Sequence, residues 1–200
     1  MAKIAVDVVL LPQEQVADRA VEINRELLKQ CPDKIVLDKA KCLPHISLAM
    51  GCIDDKDIAD IERVLRMIAE NHRPGKLYNE GIYTGTNASN EQVSVLQLKK
   101  TKPLQKLHEI VMEELAPHFS YEVSADMLLP PAATEGTLLW IKNYPEKSSF
   151  ERFSPHITLG YGRLDNVSFP SRFSAQKLAL CHLGNHCTCR KILASVEFSD

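Results

Sequence analysis

Pro44-His45-Ile46-Ser47-Leu48-Ala49-Met50-Gly51 and Pro155-His156-Ile157-Thr158-Leu159-Gly160-Tyr161-Gly162 are two copies of one pattern, P-H-I-[ST]-L-x-x-G. The tripeptide H-x-[ST] alone carries no signal. His118-Phe119-Ser120 and His186-Cys187-Thr188 satisfy it too, so four of the seven histidines do. The flanks carry the signal. At average usage, a preceding Pro, the Ile and Leu at fixed offsets and the downstream Gly coincide on the order of once in 10⁵ histidines. Each copy reads as a strand. Period-two alternation puts His45, Ser47 and Ala49 on one face and Ile46, Leu48 and Met50 on the other. It likewise separates His156, Thr158 and Gly160 from Ile157, Leu159 and Tyr161. The aliphatic face anchors the strand. The polar face offers one imidazole, one hydroxyl and a small residue that leaves room for a ligand.

The surroundings of the two motifs repeat as well. Residues 3–11 are rich in β-branched side chains and read as a buried strand. Val16, Ala20, Ile23 and Leu27 then stripe a helix over 13–30 that stops at Cys31-Pro32. Short strands are expected at Ile35–Leu37 and Leu43–Met50. In the second half come a strand at 93–99, a helix over 101–117 capped by Thr101, a strand at 121–128 and the strand holding His156. Between the halves, Ile58, Ile61, Leu65 and Ile68 stripe a helix capped by Asp54 or Asp55 that ends near His72. A strand at 76–84 follows, with a polar turn over Gly85–Asn90. Further strands are expected at 137–143, 175–182 and 190–198. Two β-α-β-β units imply an α+β fold over residues 1–200, a single bilobal domain. Its two antiparallel sheets flank a central groove, related by a pseudo-twofold axis, with helices outside.

Composition limits the function. With 44% hydrophobic and 25% charged residues the chain is an ordinary globular one, not a disordered or fibrous protein. A net charge of −2 lacks the basic excess needed to track a long nucleic acid, but permits a site for one nucleotide or an RNA end. No apolar run approaches the roughly 20 residues of a membrane span. Asp7 interrupts the apolar N-terminal stretch and no small-residue cleavage site follows, so a cytoplasmic protein is expected; a monomer is the expected state. Six cysteines without a secretory signal predict reduced thiols. His182, His186, Cys187 and Cys189 cluster in sequence, but their spacing fits no standard zinc pattern.

Two histidines and two hydroxyls around one space suit phosphodiester chemistry. One neutral imidazole takes a proton from a nucleophile and one imidazolium protonates the leaving oxygen. Ser47 and Thr158 donate to phosphate oxygens where charge builds. That chemistry needs no metal and no cofactor. The pair of motifs resembles the signatures of the two-histidine phosphoesterase superfamily, which includes the 2′-5′ RNA ligase-like proteins and cyclic nucleotide phosphodiesterases. The resemblance implies a bilobal α+β fold with the active site in the groove. It implies His45 and His156 as catalytic residues, and Ser47 and Thr158 as substrate-phosphate ligands. The expected function is a metal-independent phosphodiesterase acting on 2′,3′-cyclic phosphates or 2′-5′ linkages of nucleotides or RNA ends, reversible as a ligase. The alternatives are a 3′-5′ RNA end-trimming exonuclease, a non-catalytic binder of nucleotides or RNA ends, and a zinc protein using the Cys/His tail. Arg163 follows the second motif at a distance that puts a phosphate role in doubt. Trp140, Tyr83, Phe153 and Tyr161 are candidate base-stacking aromatics whose more ordinary place is the core.

Overall fold

The structure is a computed structural model describing residues 2–32, 34–87, 90–164 and 167–198. Positions 88 and 89 of the expected Gly85–Asn90 turn lie outside the described residues. Among the described residues, twelve strands and α-helices organise the fold. They are β1 (Lys3–Pro12), α1 (Glu14–Leu28), β2 (Ile46–Asp54), α2 (Ile58–Asn71), β3 (Leu77–Thr86), β4 (Gln92–Leu98), α3 (Lys102–Leu115), α4 (Glu135–Lys147), β5 (His156–Tyr161), β6 (Arg172–Phe173), β7 (Ala175–Gly184) and β8 (Thr188–Glu197). One antiparallel sheet runs β2-β1-β7-β8 and the other β5-β4-β3-β6. Both motif strands are therefore edge strands, and the two sheets approach each other along β2 and β5. The expected α+β architecture of two antiparallel sheets holds.

The helices form where apolar stripes and caps place them. Thr101 accepts from the Leu104 backbone N–H at the start of α3, and Pro103 fits the first turn, where no N–H is needed. Val16, Ala20, Ile23 and Leu27 of α1 and Ile61, Leu65 and Ile68 of α2 are all buried. Packing crosses between the repeats. Helix α1 lies against β5 of the other sheet, and α3 lies against β2. Asp54 and Asp55 make no side-chain cap; a 3-10 turn over Asp55–Asp57 leads into α2 instead.

Three expected strands do not form. Residues 35–37 and 121–124 join no sheet, and Ala125–Met127 make a 3-10 turn, so each repeat is β-α-β rather than β-α-β-β. Residues 137–143 are helical, inside α4. There Thr134 caps the helix by accepting from the Thr137 N–H, and Thr137, Ile141 and Tyr144 are buried at helical spacing. The cysteines also depart from expectation. Cys181 and Cys189, on neighbouring strands with Cα atoms 5.6 Å apart, are joined as a disulfide, while Cys31, Cys42, Cys52 and Cys187 are free. Among the described residues no helix is long and apolar enough to cross a membrane.

Candidate active site

Each motif strand carries a bulge at the same point. Along β1–β2, Val9 pairs with Ser47 and Val8 with Ala49, leaving Leu48 unmatched. Along β4–β5, Val95 pairs with Thr158 and Ser94 with Gly160, leaving Leu159 unmatched. Directly paired residues share a face, so the bulge reverses the alternation beyond each hydroxyl. Ala49 and Gly160 turn away from the hydroxyl face, and Met50 and Tyr161 turn onto it. This corrects the expected assignment of those four residues. His45, Ser47, His156 and Thr158 precede the bulge and keep their predicted faces.

The two bulges are held by polar side chains that are fully buried. Asn24 of α1 donates to Leu159 O (2.7 Å) and Ile35 O (2.8 Å), while its Oδ1 accepts from Leu37 N (2.8 Å). His108 of α3 bonds Leu48 O through Nδ1 (2.6 Å) and accepts from Phe150 N through Nε2 (2.7 Å). Each side chain thus satisfies the carbonyl of one motif's bulge. Each also grips the loop that leads into the other motif. Burial pushes the His108 imidazole down to about 4, which keeps it neutral for this two-sided role. Gly160 sits at φ 144°, and a Cβ there would lie 2.8 Å from Asn24 Nδ2, so the glycine is a steric requirement of the bracket.

The histidines are set identically. His45 Nδ1 bonds Leu43 O (2.7 Å) and His156 Nδ1 bonds Ser154 O (2.8 Å). A carbonyl only accepts, so the hydrogen is on Nδ1 in both neutral rings and the lone pair on Nε2. The two rings are close enough for a charge on His156 to disfavour one on His45. Burial is the larger effect. It pushes His45 down to about 4 and lowers His156 as well, against the opposing pull of the carbonyl hydrogen bonds.

Asp7 of β1 is the residue that the sequence showed only as an interruption. It has no exposed surface, accepts from Ser47 Oγ (2.6 Å) and has Oδ2 3.8 Å from His45 Nε2. Among the described residues its Oδ1 has no hydrogen-bond partner. Burial raises its carboxyl well above the usual range, against the lowering effect of the Ser47 bond. In β4 the position matching Asp7, counted from the bulge, is Val93. A charged residue inside an otherwise apolar strand was the sequence signal for it.

Other candidates scatter. Phe153 is buried and stacks on His108 at 4.1 Å; Tyr161 is nearly buried and its hydroxyl meets His186 Nδ1 at 3.0 Å. Trp140 (49% exposed) and Tyr83 (64%) lie on the surface, contrary to the core placement expected of them. The Arg163 backbone is held on both sides by the Gln30 amide. The Cys/His tail does not converge. Cys189 is in the disulfide, His182 Nε2 bonds Met127 O, and His186 bonds Tyr161. Among the described residues no group of three or more His, Cys, Asp or Glu is placed to hold a metal ion.

Comparison with known proteins agrees with this frame. The family model of the 2′-5′ RNA ligase superfamily matches residues 12–182. TT0787 of Thermus thermophilus shares the fold with a TM-score of 0.59 at 15% identity, covering 98% of each chain. E. coli LigT complexed with NADP+ gives 0.51 at 13%, covering 100% of each chain. A crystal structure of a phosphoesterase gives 0.50 at 13%, covering 98% of this chain and 99% of the other. No curated protein is similar enough in sequence to match the chain.

Proposed function

The chain belongs to the 2′-5′ RNA ligase superfamily, and on that footing we propose that it is a metal-independent phosphodiesterase acting on 2′,3′-cyclic phosphates or 2′-5′ linkages of nucleotides or RNA ends. The observation that carries this reading is the matched pair of histidines. Both rings are fixed by Nδ1 on a backbone carbonyl, and both leave Nε2 for chemistry. One Nε2 lone pair takes a proton from water as its oxygen attacks phosphorus. The other imidazole, protonated, gives its Nε2 proton to the leaving ribose oxygen as the P–O bond breaks. Thr158 and Ser47 donate to the non-bridging oxygens. With a 5′-hydroxyl in place of water attacking a 2′,3′-cyclic phosphate, the same two proton transfers break one ring P–O bond, protonate the freed ribose oxygen and join the ends as a ligase. E. coli LigT has been crystallised with NADP+, which supports a nucleotide-bearing substrate here.

The test is turnover by His45→Ala and His156→Ala on 2′,3′-cyclic nucleotides, 2′-5′ dinucleotides and short RNAs, with and without a chelator. Each single variant should lose roughly 10²–10⁴ in kcat, and the double variant little more. A chelator should leave the rate unaltered. Full activity in either single variant, or activity that returns only on adding a divalent ion, rejects the reading. Stepwise loss of 3′ nucleotides as the main product would favour the exonuclease.

A further inference from the structure

We propose that Asp7 is a positioning residue of this site: as a neutral carboxylic acid it donates to Ser47 Oγ and so turns the serine hydrogen toward a phosphate oxygen of the substrate. The inference rests on the phosphate role proposed for Ser47 and goes beyond it. A serine has one hydrogen to give. With Asp7 ionised, that hydrogen is committed to Asp7 Oδ2 at 2.6 Å. A second anion arriving at Ser47 would meet a lone pair, with a carboxylate directly behind it. With Asp7 protonated, the same oxygen–oxygen distance serves the opposite direction. Oδ2–H donates to Oγ, and the serine hydrogen is released to the ligand.

The surroundings favour the neutral form. The carboxyl is fully buried and its Oδ1 is unpartnered among the described residues, a costly setting for a charge. Among the described residues, the only basic group within 4 Å is His45, which burial itself holds neutral. From α4 and from the turn before β8, Tyr144 and Cys187 lie close enough to feel a charge on Asp7. Burial pushes both of their own ionisations up, so neither supplies a counter-charge. From β7 the paired residue is Cys181, closed in its disulfide, and from β2 it is Met50. His156 bears on His45. The second repeat holds no such acid: the position is Val93, and Thr158 keeps its hydrogen without help.

Inorganic sulfate is the probe, because its charge is fixed between pH 5 and 9. Sulfate affinity of the wild type should fall roughly tenfold as pH rises through the Asp7 titration, since the relay then reverses and the carboxylate repels the anion. Asp7→Asn presents an amide donor to Ser47 at every pH. On the acid side of that titration it should bind sulfate within about threefold of wild type, and the Asp7-linked fall should vanish. In a Ser47→Ala background the donor effect should be gone: Asp7→Asn should match Ser47→Ala on the acid side of the titration, and only the smaller fall due to charge repulsion should remain above it. The proposal is overturned if Asp7→Asn shows the wild-type fall, or if Ser47→Ala keeps that fall at full size. Asp7→Leu, which removes the donor, should bind weakly at all pH values; binding as tight as Asp7→Asn also rejects the relay. Turnover on the same samples separates the two ideas. Absent turnover with this sulfate pattern intact counts against the function alone. Turnover with Asp7→Asn as impaired as Asp7→Leu counts against the relay alone.

Discussion

At the scale of single residues, a two-histidine mechanism requires one ring neutral and one charged, while burial here disfavours charge on both. The competent free enzyme carries one proton over the pair, and that state peaks between the two apparent pKa values. With His45 at about 4 and His156 lowered, the peak falls on the acid side of the ordinary imidazole value near 6.5. The sequence alone suggests limbs near that ordinary value. A bound phosphate anion favours the charged rings and moves both limbs up. The kcat/KM profile should therefore decline as pH rises past about 6.5, with the limbs of kcat displaced to higher pH. Coincident limbs near 6.5 in both profiles would show that the rings are not desolvated as the structure places them.

At the scale of elements, the bulges and their brackets set where the motif residues point. Truncating His108 to Ala strands the Leu48 carbonyl and the Phe150 N–H inside the protein. It should cost about 2–4 kcal/mol in denaturant unfolding, and Asn24→Ala, which strands three groups, at least as much. The sign of the pH effect follows from a depressed folded value. His108 supports stability fully above its unfolded value near 6.5, and that support is lost as pH falls toward about 4. The wild type should lose about 3 kcal/mol from this group across that window. His108→Asn should flatten that part of the curve; an unaltered acid slope would mean that the imidazole is already charged in the folded state. The motif strands and three of the four helices were legible in the sequence, because their stripes and caps agree. Helix α4 was not. Its buried Thr137, Ile141 and Tyr144 are interleaved with exposed Leu139 and Trp140, which blurs the helical period into an apolar run. The bulges were also hidden. In β2 the unmatched residue is an ordinary Leu, and neither glycine nor proline marks it. Asn24 and His108 carried no signal in the sequence, since the bulge carbonyls that they hold come from the opposite repeat.

For the whole molecule, charge and site placement limit the substrate. A net charge of −2 gives no positive field to hold a long RNA. Recognition then rests on the scissile phosphodiester and one or two flanking nucleotides. A dinucleotide and a long RNA carrying the same scissile group should differ by less than about tenfold in kcat/KM, with a shallow dependence on salt. A several-hundredfold preference for the long RNA that vanishes at high salt would reveal a basic surface that the chain's overall charge conceals.

The exchange of brackets between α1 and β5 and between α3 and β2 has the form of a twofold homodimer contact, in which each copy supplies what the other lacks. In a true homodimer the two histidines would be bound to one environment, because any substitution appears twice. Here both repeats lie in one polypeptide, and each position can differ independently of its counterpart. Asp7 opposite one hydroxyl and Val93 beside the other is such a difference. Covalent fusion is thus what lets two rings in matching frames hold unequal proton affinities, a division of labour that a symmetric pair could reach only by breaking its symmetry anew in every turnover.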